Sequence, residues 1–250
     1  MGIVMAVTAL ASPILTKEYT NLKKNGRDIV LVIDTSASMQ QERFDMKNLH
    51  KNKFDVVKEV ASDFVLRRKD DRIGLVTFAD IAFIATPLSF EKKFLQQIIA
   101  MQKLGVAGQR TAINDAVVQA YGLLENSQAQ SKVVILLTDG IDNMSQVGLN
   151  DVADYIEKSS IKLYTIGIGT NRDFDGTSLK RLAEAGHGEF YSASNGETLR
   201  KIYEKIDTLE VTKIDNKKIV QFVYLFVYPL LLSVLLFLLF LYFRVMGGLS

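Results

Sequence analysis

Between its two ends the chain alternates β-like apolar runs with helix-like amphipathic blocks, the order expected of an α/β domain with a largely parallel sheet. DIVLVID (Asp28 to Asp34) is a continuous apolar run that ends in a carboxylate. After it, Phe54, Val57, Ala61, Phe64 and Val65 recur at helical spacing and define a core-facing stripe. RIGLVTF (Arg72 to Phe78) and IAFIATPL (Ile81 to Leu88) predict a strand pair with a tight turn near Ala79 and Asp80, one strand of it antiparallel. A short helix from Glu91, a loop through Gly105 and Gly108, and a helix from about Thr111 to Leu124 lead into KVVILLTDG, whose strand is expected to end at Asp139. IKLYTIGIG (Ile161 to Gly169) and GEFYSAS (Gly188 to Ser194) supply two more strands. The last helix of the domain places Leu199, Ile202, Ile206 and Leu209 on one face.

The ends are of another kind. Ile219 to Phe243 carries no charge and, at roughly 1.5 Å per helical residue, is long enough to cross a hydrocarbon core of about 30 Å. It reads as a transmembrane helix, since a buried core helix rarely runs apolar on every face for so long. Pro229 is a point where that helix could kink, Tyr224, Tyr228 and Tyr242 suit the membrane interface, and Arg244 lies just past the end. Met1 to Leu15 is also apolar, but short for a span and without a basic leading segment. It is read as part of a second hydrophobic segment, with a cleaved signal as the alternative. The resulting division is an N-terminal hydrophobic segment at 1–16, a globular domain at 27–210, a juxtamembrane linker at 211–218 and a transmembrane helix at 219–243.

Composition narrows the function classes. The chain has 250 residues, 48% hydrophobic and 23% charged, enough for one packed domain with additional segments. The formal net charge is +2, and Lys and Arg are scattered rather than striped, so no nucleic-acid footprint stands out. No cysteine is present, which excludes disulfides, thiolate zinc sites and a cysteine nucleophile.

Three polar motifs fall where ligands sit in an open α/β sheet, beyond the carboxyl ends of the strands. Asp34-Thr-Ser36-Ala-Ser38 follows the first strand of the domain, Gly108-Gln-Arg-Thr111 opens a helix, and Thr138-Asp139-Gly140 follows the fourth strand. Each could be ordinary turn and N-cap chemistry, because Asp, Ser and Thr bond local backbone amides. Together, Asp34, Ser36, Ser38, Thr111 and Asp139 offer only oxygen, which suits a hard cation: Mg2+, with Mn2+ or Ca2+ as alternatives, rather than zinc or copper.

DIVLVIDTSASM, TAINDAV, VVILLTDG and LYTIGIGT resemble the von Willebrand factor A (VWA) fold, and specifically the bacterial BatA-type membrane proteins, from Arg27 to Glu210. The resemblance implies a Rossmann-like domain: a mostly parallel central sheet with one antiparallel edge strand and helices on both faces. It also implies a metal-ion-dependent adhesion site. In such a site Ser36, Ser38 and Thr111 bind the cation directly, Asp34 and Asp139 hold it directly or through water, and an Asp or Glu of a protein partner completes the coordination. Partners of the MoxR-type AAA+ ATPase class, sibling VWA proteins, and a bacterial inner-membrane location with the domain in the periplasm are implied in the same way. Ala37 stands where many relatives have glycine, which matters only if that residue needs a positive φ. The chain also begins inside a hydrophobic segment that relatives precede with more membrane sequence. The polar stretch between Met39 and Lys53, with His50, reads as a solvated loop.

Two rival readings have a basis in the residues. A strand-terminal Asp34 resembles the nucleophile of haloacid-dehalogenase-like phosphatases, but the second Asp expected two residues on is Ser36. His50 and His187 lack a matching Ser and Asp motif, His187 reads as structural, and no P-loop occurs, so the expectation is a protein that is not an enzyme. A surface adhesin binding host or matrix proteins through the same cation is the other rival. Lys213, Lys217 and Lys218 before the span and Arg244 after it leave sidedness undecided by charge.

Overall fold

A computed structural model describes residues 4, 7, 10–11, 14–20, 26–45, 48–210 and 218–247. The chain divides into two units, Lys24–Ile214 and the paired ends Met1–Lys23 with Asp215–Ser250.

The larger unit is built on a six-stranded sheet. Its central strand, β2 (Asp28–Asp34), is buried at every residue, as expected of a parallel strand covered on both faces. It pairs in parallel with β3 (Arg72–Phe78) on one side and β5 (Lys132–Thr138) on the other. β6 (Lys162–Ile168) and β7 (Phe190–Ala193) extend the parallel set, and β4 (Ala82–Ser89) closes the opposite edge antiparallel to β3, giving the order β4-β3-β2-β5-β6-β7. This is the mixed sheet with one antiparallel edge strand that the sequence predicts.

The alternation along β2 sends Ile29, Leu31 and Ile33 to one face and Val30 and Val32 to the other. The first face is covered by α1 (Lys53–Arg67), α2 (Lys92–Met101) and α6 (Gly196–Leu209). The second is covered by α3 (Ile113–Glu125), α4 (Leu149–Glu157) and α5 (Gly176–Ala185). In α1 the stripe Phe54, Val57, Ala61, Phe64 and Val65 is buried, and Asn52 caps the helix by accepting from the Asp55 N–H at 2.7 Å. In α6 Leu199, Ile202 and Ile206 are buried, but Leu209 is exposed and Tyr203 completes the face.

Local boundaries differ from expectation where the chain must serve the sheet edge. α3 begins at Ile113, two residues after the expected start at Thr111; the Thr111 and Ala112 amides donate to Asn143 Oδ1 and the Ala79 carbonyl. β5 ends at Thr138, leaving Asp139 beyond it. Ala37 opens a short 3-10 turn (Ala37–Gln40) and is not among the positive-φ residues, so alanine costs nothing there. His50 is exposed, yet Met39 and Phe44 are buried in the core, so the polar loop is pinned rather than free. His187 takes the left-handed conformation (φ 55) just after α5, and its Nε2 lies 3.2 Å from the Glu157 carbonyl, a structural role.

The smaller unit corrects the reading of a helix that starts at 219. β1 (Ile14–Thr20) and β8 (Lys218–Tyr224) form an antiparallel pair in the register Ile14↔Tyr224 to Thr20↔Lys218. The run IVQFVY is rich in β-branched and aromatic residues, which suit a strand as well as a membrane helix. The helix is α7 (Val227–Gly247), with mean hydropathy 2.3 over the span Val227–Met246, and is by length and composition able to cross a membrane. Pro229 is its third residue, where a missing N–H costs no helix hydrogen bond, and Arg244 lies inside it. Val4, Val7 and Leu10 are helical, while 211–217 of the expected linker and much of 1–13 lie outside the described residues.

Candidate metal centre

The site forms where β2 and β5 end side by side. Asp34, the last residue of β2, is fully buried: Oδ1 accepts from the Ser36 N–H at 2.8 Å and Oδ2 from the Thr138 hydroxyl at 2.5 Å. Burial pushes its carboxyl up to about 7; hydrogen bonds from Ser36 and Thr138 pull against this, and nearby Asp139 adds to it. The turn that Asp34 holds brings the Ser36 hydroxyl within 3.0 Å of the Ser38 hydroxyl, and Ser38 donates to Asp139 Oδ1 at 2.5 Å. Four of the five expected residues thus stand in one hydrogen-bonded chain.

Thr111 arrives from the other side. Its N–H donates to Asn143 Oδ1 at 3.0 Å and its carbonyl accepts from the Asn143 N–H at 3.0 Å, which pins it beside the residues after Asp139. A Cβ at Gly140 would lie 2.9 Å from Thr111 Oγ1, so glycine is what lets the hydroxyl approach the end of β5. That hydroxyl makes no hydrogen bond among the described residues and is free to serve as a donor oxygen.

The loop ahead of Thr111 is fixed by Asp80, whose Oδ1 accepts from the Gln109 N–H at 2.8 Å and the Arg110 N–H at 2.6 Å. Gly108 makes that approach possible: its φ is +116, and a Cβ there would lie 2.4 Å from Asp80 Oδ1. The Ala37 N–H donates to the Gln109 carbonyl at 3.1 Å, and the Gly105 N–H to the Thr35 carbonyl at 3.1 Å, joining this loop to the Asp34–Ser38 turn.

The arrangement is chemically specific. Among the described residues no three His, Asp or Glu side chains gather as a cluster that could hold a metal; the oxygens on offer are two carboxylates and three hydroxyls. Such a donor set fits a hard divalent cation better than a soft metal.

Sequence reasoning missed Lys53. Its side chain, 4% exposed, sets Nζ 2.9 Å from Asp139 Oδ2 and 3.4 Å from Asp173 Oδ2. One local sign was available: Lys53 is the first residue of α1, and a cation at a helix N-terminus opposes the helix dipole unless something else holds it.

With this geometry in hand, comparison with known proteins is informative. Residues 28–205 match the von Willebrand factor type A domain, and the chain belongs to that family. A Borreliella burgdorferi protein is 28% identical over 212 residues, 85% of this chain and 58% of that protein, so the chain spans little more than half of this relative. BatB from Bacteroides thetaiotaomicron shares the fold, with 17% identity, a TM-score of 0.63, and coverage of 74% of this chain and 98% of that one. Proximal thread matrix protein 1 from the mussel byssus has a structure in which its MIDAS motif is occupied by zinc. It is 26% identical with a TM-score of 0.61, covering 83% of this chain and 50% of that one.

Proposed function

We propose that this chain is a membrane-anchored VWA protein that binds a protein partner through a divalent cation. Ser36, Ser38 and Thr111 bind the ion directly, and Asp34 and Asp139 hold it directly or through water. The ion supplies a positive centre whose coordination an Asp or Glu of the partner completes. The carrying observation is the convergence of hydroxyls and carboxylates from three separated segments, the Thr111 hydroxyl approaching from the third beside Gly140. The zinc-occupied motif of the mussel protein supports a metal at the equivalent place. Mg2+ is the ion proposed, because hydroxyl and carboxylate oxygens that leave room for water suit it best.

No catalytic role is proposed for Asp34. The phosphatase reading expects a second Asp two residues on, and Ser36 stands there. The proposal extends to an assembly of the BatA type, with a MoxR-type AAA+ ATPase and sibling VWA proteins as partners and the domain on the periplasmic side of the inner membrane; the likeness to BatB supports the fold that this reading requires.

Affinity capture from gently solubilised membranes tests the reading. Wild type in Mg2+ is expected to retain a partner that is lost in EDTA and lost in Asp139→Ala; identical partners in all three would show that the metal site is not the docking surface. Sidedness is read separately. The chain has no cysteine, so a Lys180→Cys variant, at a side chain 66% exposed, carries a unique thiol. A membrane-impermeant reagent that passes the outer membrane is expected to label it in intact cells, and labelling only after lysis would place the domain in the cytoplasm.

A further inference from the structure

We propose that Lys53 is a tethered counter-cation of the Asp139 carboxylate that moves onto Asp173 when a divalent ion binds, so that it sets the affinity of the site. This rests on the metal-binding reading above.

Lys53 is almost wholly buried, and its ammonium lies against a carboxylate that is itself 1% exposed. A buried ammonium is costly unless its charge is met, and the Asp139 carboxylate needs a cation for the same reason. The two satisfy each other: Asp139 Oδ1 accepts from Ser38 and Oδ2 from Lys53. A divalent ion bound among Ser36, Ser38 and Asp139 would face this ammonium across one carboxylate group, in an interior where like charges repel far more strongly than in water.

The structure provides a second seat. Lys53 Nζ is already shared with Asp173 Oδ2 at 3.4 Å, and that carboxylate is held in place by the Thr170 N–H at 2.7 Å and the Thr170 hydroxyl at 3.2 Å. Gly169 makes room for the pair. Its φ is +112, and a Cβ there would lie 2.3 Å from Asp173 Oδ2 and 2.9 Å from Lys53 Nζ. Asp173 is 27% exposed, so it carries its charge whether or not the lysine leans on it. The ammonium therefore needs only a small shift to leave Asp139 without losing a partner.

Two substitutions move the affinity in opposite directions. Lys53→Gln removes the competing charge and is expected to tighten Mg2+ and Mn2+ binding by about tenfold or more. Asp173→Asn removes the second seat and is expected to weaken binding by a similar factor. Lys53→Arg keeps the charge and should stay within a few-fold of wild type. Titration calorimetry of the chelator-treated, detergent-solubilised chain with MgCl2 and with MnCl2 reads all four proteins. Circular dichroism establishes that each is folded.

A second readout is the thermal midpoint. Lys53→Gln should start lower than wild type without metal and rise further on saturation, a pattern that mere loss of packing would not give. If wild type binds and Lys53→Gln binds no more tightly, the inference is overturned while the metal site stands. If Lys53→Gln does not fold, Asp173→Asn decides: unchanged or tighter binding overturns the inference. If neither wild type nor any variant binds either ion, the metal reading fails and takes the inference with it.

Discussion

Replacing Asp34 by Asn is expected to stabilise the metal-free chain at neutral and alkaline pH while abolishing its response to Mg2+. The carboxyl sits at about 7 against an ordinary value of 3.8, chiefly because it is buried. A raised pKa means that the folded chain holds a proton that the unfolded chain releases. The associated stability is fully present below about pH 4 and is lost as pH rises through about 7. A shift of this size corresponds to on the order of 4 kcal/mol between the two limits. Asn keeps an oxygen for the Ser36 N–H and offers an amide N–H toward the Thr138 hydroxyl without the buried charge.

In EDTA, the unfolding midpoints of wild type and Asp34→Asn should therefore coincide near pH 4 and separate toward pH 8, with the variant the more stable. Other titrating groups cancel in that difference. Mg2+ should then raise the wild-type midpoint by mass action and leave the variant unmoved. A variant less stable than wild type at pH 8 in EDTA would show that Asp34 is not a site of stored electrostatic cost. A buried carboxylate that bears such a cost has most to gain from a neighbouring cation, which is why the proposed site and the pH dependence are tested by the same substitution.

Why some of this was legible in the sequence and some was not follows from how locally each feature is determined. DIVLVID announces a central strand because parallel strands buried on both faces read as unbroken apolar runs, and the carboxylate that ends it must then lie at the sheet edge. The stripe of α1 was plain because it fills two layers of core contacts over fifteen residues. Helices α4 and α5 were not assigned; each buries only three residues, Val152, Ala153 and Ile156 in one and Leu179, Leu182 and Ala183 in the other. The strand at Lys218–Tyr224 was hidden for a different reason. Its partner, Ile14–Thr20, lies some two hundred residues away in the chain, and nothing in IVQFVY itself separates a strand from the start of a membrane helix.

The site shows the same division. Asp34, Ser36, Ser38, Thr111 and Asp139 were legible as candidates because the chemistry they offer is written in short motifs, two after strands and one before a helix. Lys53 and Asp173 were not, because a charge held against those motifs from another element leaves no motif of its own. Asp80 and Asn143, which fix the loops around Thr111, are equally silent in sequence, since their role is set by which backbone amides the fold brings to them.

At the opposite edge of the sheet, Asp71→Ala is expected to cost about 3–5 kcal/mol of stability, because it strips a buried partner from two arginines. Asp71 Oδ1 accepts from the Arg27 N–H at 2.8 Å, and its Oδ2 accepts from Arg27 Nη2 at 3.1 Å and Arg68 Nη1 at 3.3 Å. The side chains of Arg68 and Asp71 are 7% and 8% exposed. Arg27 also donates to the carbonyls of Asp207 and Glu210, so the network ties the start of β2 to the end of α6. Asp207 bonds the same two arginines but is half exposed, and solvent screens its contribution. Asp207→Ala should accordingly cost about 1 kcal/mol or less, well below Asp71→Ala. Equal losses in denaturant unfolding would mean that burial is not what gives Asp71 its weight. Metal affinity should be untouched by either change. Arg27 and Asp71 precede β2 and β3 whereas the metal site follows β2, and a seven-residue strand separates the two by roughly 20 Å, beyond the reach of screened surface charge. A fall in Mg2+ affinity in Asp71→Ala would instead show that the two edges of the sheet are coupled through β2.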